Sequence, residues 1–124
     1  MTDDREEKGR ELLDKLCGNP NGVDGLPQNL RDYSLEHLFG RVWHGEDLEL
    51  KERSLITCTI LTALAREPEQ HFHFAAAKRL GVPREKLVEM IAHTAHYAGW
   101  PNAMGAMRSL NKVWPEDTGE SLNT

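Results

Sequence analysis

Leu12, Leu13 and Leu16 recur at helical spacing inside the charged stretch DDREEKGRELLDKL, which predicts a short amphipathic helix over residues 3–16. The pattern stops at CGNPNGVDGLPQN, residues 17–29, where three glycines, two prolines and three asparagines supply turn chemistry. A loop of that length in a small domain is often functional or orders against a partner. Regular spacing resumes with a helix expected from Leu30 to Gly45, capped by Ser34, with Leu35, Leu38, Phe39 and Val42 on one face. Asp47 is then positioned to cap LELKERSLITCTILTALAR, where Leu48, Leu55, Cys58, Thr59, Thr62 and Ala65 follow the 3.6-residue period. As the most apolar stretch it is expected at the centre. Pro68, Pro83 and Pro101 each suit the first turn of a helix, where a missing amide proton costs nothing, and Gly81 suits a helix end. The prediction is an all-α bundle of five to six helices. It divides into an N-terminal helix and loop (1–29), a helical domain (30–114) and a polar, flexible tail (115–124).

Bulk properties narrow the function classes. A chain of 124 residues suffices for one core but not two. The mean hydropathy of -0.60 is polar for a freestanding core, which points to a partner subunit. With a net charge of -5 and no Lys/Arg-rich run, the chain repels phosphate backbones on average, so a nucleic-acid partner is not expected. No window approaches the roughly 20 apolar residues of a membrane span and the N-terminus has no apolar leader. The expected location is the cytoplasm, with no membrane partner. Cys17 and Cys58 form no C-x-x-C pair and read as small, reduced, apolar residues.

Three groups of side chains carry possible chemistry. Arg66, Glu69 and His73 are spaced i, i+3, i+7. Glu69 one turn before His73 can fix an imidazole tautomer and raise its pKa, which makes a proton donor, although the same spacing also describes a surface pair. His93, His96 and Tyr97 lie on one face of the predicted 83–98 helix, with Leu87, Ile91, Ala95 and Ala98 on its packing face. Two histidines fall short of the ligands a metal needs, so no metal site is expected. Trp100 sits in a corner between Gly99 and Pro101 where a backbone can approach a ligand or a subunit. Arg53 on the apolar central helix requires a carboxylate, supplied either by a substrate or by Asp47 or Glu49.

Together these residues resemble the carboxymuconolactone decarboxylase family. The resemblance runs from Phe39 to about Val113 through FGRVWHGEDLELKERSLIT, EPEQHFHFAAAKRLGV and PREKLVEMIAHTAHYAGWPNAM, with His93, Tyr97, Gly99 and Pro101 in the family's order. It is similar to the branch of the alkylhydroperoxidase D-like superfamily that lacks C-x-x-C. Arg66 and Glu69 occupy those two positions, and Ser54 stands where the peroxidase branch tends to place a relay Glu. Without a thiolate and a resolving partner, thiol peroxidase chemistry is not expected.

The resemblance implies an alkylhydroperoxidase D-like fold and an obligate homo-oligomer, a trimer or hexamer with pockets near subunit boundaries. It also implies a carboxy-lyase acting on 4-carboxymuconolactone in aromatic acid breakdown, the β-ketoadipate route. Such a substrate is its own electron sink, so no cofactor is expected. On that reading Arg53 holds a carboxylate and His73, poised by Glu69, donates the proton. His93 or Tyr97 faces the developing oxyanion, and His96 and Trp100 complete the substrate contacts. The competing expectations are the same pocket serving another small organic acid, and a helical oligomer that binds a ligand without chemistry.

Overall fold

The computed structural model describes residues 4–116. The start of the first predicted helix at Asp3 and most of the predicted tail, 117–124, lie outside the described residues. Six α-helices follow one another: α1 (Arg5–Cys17), α2 (Gln28–Asp32), α3 (Leu50–Ala63), α4 (Glu67–Leu80), α5 (Arg84–Ala98) and α6 (Trp100–Val113). No strand occurs among the described residues.

The N-terminal helix buries Leu12, Leu13 and Leu16 against Leu35, Phe39, Trp43 and Ala76. Contact is close because Gly9 has no Cβ, which would run into the Leu35 carbonyl. Turns fill residues 18–27 of the expected loop, while Cys17 still belongs to α1 and Gln28 and Asn29 already belong to α2; α1 holds the segment down. Arg10 Nη1 donates to Pro20 O at 3.1 Å, Asn21 Oδ1 at 3.1 Å and Asp24 Oδ1 at 2.9 Å.

The single helix expected over 30–45 is instead three short pieces. After α2 comes a π-helix at Tyr33–Leu38, closed by Phe39 N–H donating to Ser34 O, and then a 3-10 turn at Val42–His44. Ser34 is therefore inside the run and does not cap it. Because a π turn takes up extra residues, the side chains beyond it are rotated from their α-helical phase. Leu35, Phe39 and Trp43 are buried, whereas Leu38 and Val42 face outward.

The cap of α3 is Glu49, not Asp47. Its side chain accepts from the N3 amide while Glu52 Oε1 accepts from Glu49 N–H at 2.9 Å, a reciprocal box that needs a carboxylate three positions on. The burial pattern of α3 also differs from expectation. Ser54, Cys58 and Thr62 form its buried row, and Leu55 and Thr59 are half-buried. Leu48 and Ala65 are exposed, and Ile56, Ile60 and Leu64 point outward at 43%, 51% and 64% exposure. Small side chains in the buried row let α4 approach closely, so the bulkier aliphatics are left on the outside.

The proline-led helices stand as predicted. Gly81 closes α4 at φ 91°, Pro83 precedes α5, and Pro101 lies in the first turn of α6. The main core joins Cys58, Phe74, Leu87, Ile91, Ala106 and Leu110. Arg84 fastens the start of α5 to the end of α6 by donating to Trp114 O at 2.8 Å and Asn111 Oδ1 at 2.5 Å. Helix α4 packs on α1, α3 and α6, whereas α5 packs on α3 and α6. Both α4 and α5 thus pack on α3 and on α6, around one shared core.

Candidate functional site

Arg53 lies half-buried in the second turn of α3. Neither Asp47 nor Glu49 pairs with it. Its Nη2 donates to Gly45 O at 3.2 Å, and its Nε is buried with no acceptor. Arg10 and Arg66 do have carboxylate partners, Asp24 at 2.9 Å and Glu69 at 2.6 Å, whereas Arg84, like Arg53, donates only to neutral oxygens. A guanidinium cannot lose its proton at any ordinary pH, so Arg53 carries a full charge that, among the described residues, meets only a carbonyl dipole. An anion would complete it.

His73 lies on α4 at the seam with α3. Its backbone carbonyl accepts the Cys58 thiol at 3.5 Å and its ring stands edge-on to Phe72, centroids 4.9 Å apart. The expectation of a raised imidazole pKa is corrected here. Burial lowers the pKa of His73, and the field of Glu69, which raises it, only partly compensates. One reason is that Glu69 is already engaged: Arg66 donates to its Oε1 through Nε at 2.8 Å and Nη2 at 2.6 Å, across an exposed surface. His73 Nδ1 is itself buried without a partner, an arrangement that costs about 1–3 kcal/mol unless a ligand or water satisfies it.

Beside it, burial pushes the Cys58 thiol up to about 12, with the Ser54 hydroxyl pulling it back only in part. Ser54 Oγ forms no well-aligned hydrogen bond, so its influence on the thiol is one of proximity. Cys58 is thus a protonated packing residue.

The remaining predicted residues gather elsewhere. His93 and Tyr97 stack at 5.2 Å on α5, and His96 meets Trp100 edge-on at 6.1 Å. Tyr97 is 83% and Trp100 62% exposed. His96 Nδ1 lies 2.8 Å from Ala92 O; since a carbonyl only accepts, that nitrogen carries the proton. His93 lines a hollow of about 520 Å³ with Leu55, Thr59, Glu85, Glu89 and Met90. Arg53, Glu69 and His73 do not line it. Within one chain, therefore, the structure does not bring His73 and Glu69 into one cavity with His93 and Tyr97. Among the described residues no three His, Cys, Asp or Glu side chains converge as a metal would need, and no helix is long and apolar enough to cross a membrane.

Comparison with known proteins bears on this arrangement. Residues 28–112 match the model of the carboxymuconolactone decarboxylase family. The chain belongs to this family. It is 31% identical over 119 residues to the 4-carboxymuconolactone decarboxylase of Acinetobacter baylyi, covering 90% of this chain and 88% of that protein. It is also 32% identical over 78 residues to the nitrosuccinic acid decarboxylase of Metarhizium robertsii, covering 63% of this chain and 54% of that one. The carboxymuconolactone decarboxylase match takes in α2 through most of α6, and so includes both Arg53 with His73 and the aromatic edge of α5.

Two features of this family member escaped sequence reasoning. Gly45, taken as a helix terminator, is the acceptor of Arg53, and nothing in its spacing shows a side chain folding back eight residues. Gln70 is fully buried, with Nε2 donating to Leu61 O at 3.0 Å and Oε1 unpartnered. Its spacing with Phe74 and Ala77, i, i+4, i+7, was the available signal.

Proposed function

We propose that this chain is a cofactor-independent decarboxylase of a small dicarboxylic acid whose departing carboxylate leaves a delocalised carbanion. The observation that carries the reading is Arg53: a half-buried guanidinium that has no carboxylate partner among the described residues and whose Nε is buried without an acceptor. The names of the two relatives support this substrate class. In 4-carboxymuconolactone, loss of carbon dioxide leaves electrons conjugated through the ring alkene to the lactone carbonyl. In nitrosuccinic acid, the electrons fall into the nitro group. Each acid keeps a second carboxylate as a handle and supplies its own electron sink. The lactone, within aromatic acid breakdown in the cytoplasm, is our first choice for this chain; the nitro acid of the second relative supports a wider reading in which another small organic acid is used.

In this scheme Arg53 binds the retained carboxylate. His73 rests as neutral imidazole, since its site disfavours charge. A bound dianion provides the missing counter-charge, His73 takes up a proton, and the imidazolium passes it to the carbanion as carbon dioxide leaves. Glu69 assists through its field. His93, Tyr97, His96 and Trp100 belong to the boundary with another copy in a trimer or hexamer, alongside the outward Ile56, Ile60 and Leu64; exposed Tyr and Trp beside aliphatics are the composition of interface anchors.

The test is carbon dioxide release from 4-carboxymuconolactone and from nitrosuccinate by the purified chain without added cofactor, together with the native mass. Turnover lost in His73→Ala is the expected result. Full turnover in that variant overturns the acid assignment, and tight binding without release leaves a ligand-binding oligomer.

A further inference from the structure

Gly45 adopts φ -59° and ψ 143°, extended backbone open to any residue. Its conformation therefore gives no reason for glycine. The reason lies in Arg53: a Cβ added at Gly45 would overlap Arg53 Nη2, the nitrogen that donates to the Gly45 carbonyl. The other nearest atom, Val42 O, would sit at 3.6 Å, an ordinary contact. The guanidinium thus approaches, Nη2 first, a residue that has no side chain and is held there by that residue's own oxygen. One donor is spent on a neutral carbonyl and the charge is left unneutralised.

We infer that Gly45 is a positioning residue for the carboxylate-binding Arg53, its missing side chain and its carbonyl together fixing where the guanidinium presents its free donors. This rests on the reading of Arg53 as the substrate's carboxylate anchor. A long arginine side chain loses much rotamer freedom when it is held, and holding it before substrate arrives removes that cost from binding. The obstruction made by a methyl group at 45 falls on the far end of a flexible side chain, not on backbone. Arg53 can swing aside at little expense to the fold, and what is lost is its aim.

Steady-state kinetics with 4-carboxymuconolactone on Gly45→Ala, Arg53→Lys, Arg53→Ala and the double variant Gly45→Ala/Arg53→Lys test this, with thermal midpoints measured in parallel. Gly45→Ala is expected to raise KM about tenfold or more, since misplacement by an ångström is costly, with a smaller change in kcat and an unmoved midpoint. Lysine has no Nη2 to collide with a methyl group, so adding Gly45→Ala to Arg53→Lys is expected to change nothing further. If Arg53→Ala raises KM and Gly45→Ala does not, the positioning role is wrong while the anchor stands. An equal effect of Gly45→Ala in the arginine and lysine backgrounds also overturns it. If neither Arg53→Ala nor Gly45→Ala moves KM, or the unmodified chain does not turn the lactone over, the anchor reading fails and this inference with it.

Discussion

Two groups of side chains, Arg53 with His73 and the outer edge of α5, stand under opposite conditions. Arg53 on α3 and His73 on α4 are each partly shut away from water with a nitrogen unsatisfied. At the outer edge of α5, two histidines, a tyrosine and a tryptophan stand in solvent and satisfy themselves, by ring contacts and by the bond from His96 to Ala92. Unsatisfied polar groups are costly to keep in a folded chain, and solvated ones are not. On the function proposed above, chemistry falls to the first group and association to the second.

The sharpest way to break that assignment is to compare alanine replacements across it. His73→Ala and Arg53→Ala should each lower kcat/KM by about 10²–10⁴, the range for losing a placed proton donor or a charged anchor. His93→Ala and Tyr97→Ala should instead act through assembly, so that their losses follow the native mass and shrink as protein concentration rises. A concentration-independent loss at His93 equal to that at His73 would erase the distinction between the two groups.

How far the contrast was legible in the sequence depends on what each residue answers to. Pro68, Pro83, Pro101 and Gly81 act through their own backbone geometry, so the helices they begin or end were readable directly. The break at Tyr33–Leu38 was not, because whether a turn widens to π depends on the packing of Leu35 and Phe39 against α1. Candidate residues behave alike. Spacing correctly puts Glu69 one turn from His73 but says nothing of how deeply α3 buries the ring, and that depth reverses the direction of its pKa. Spacing also places His93, His96, Tyr97 and Trp100 on neighbouring turns, yet whether they share a cavity with His73 follows only from the order in which whole helices pack.

The buried imidazole has a smaller, thermodynamic consequence. Because folding lowers the pKa of His73 below its ordinary 6.5, the unfolded chain binds the proton more readily. Its contribution to stability is therefore complete above pH 6.5 and is lost as the pH falls below that value. Denaturant midpoints measured between pH 8 and 5 should decline on the acid side, and His73→Gln should flatten part of the decline. A slope unchanged in His73→Gln would mean that the ring is more open to water than its packing indicates.

The least of the expected effects concerns the corners that end α3 and α5. The chain leaves α5 through Gly99 at φ 108°, where glycine is at ease, but leaves α3 through Ala65 at φ 58°. Ala65 N–H donates to Thr62 O at 3.2 Å and Arg66 N–H to Leu61 O at 3.0 Å, the paired bonds of a helix end whose left-handed position normally holds glycine. An L-residue there pays roughly 1–2 kcal/mol in sterics, against which a glycine gives back some stability through the freedom of its unfolded chain. Ala65→Gly should therefore stabilise by up to about 1 kcal/mol, read as a higher urea midpoint with an unchanged slope. Arg66, whose carbonyl accepts Gln70 N–H at 2.9 Å, opens α4 directly after this corner, so the corner also sets where α4 starts and, with it, where His73 lies. If Ala65→Gly gains stability and leaves kcat/KM intact, the strain is incidental; if it gains stability and loses turnover, the strained corner is part of how α4 holds its imidazole in place.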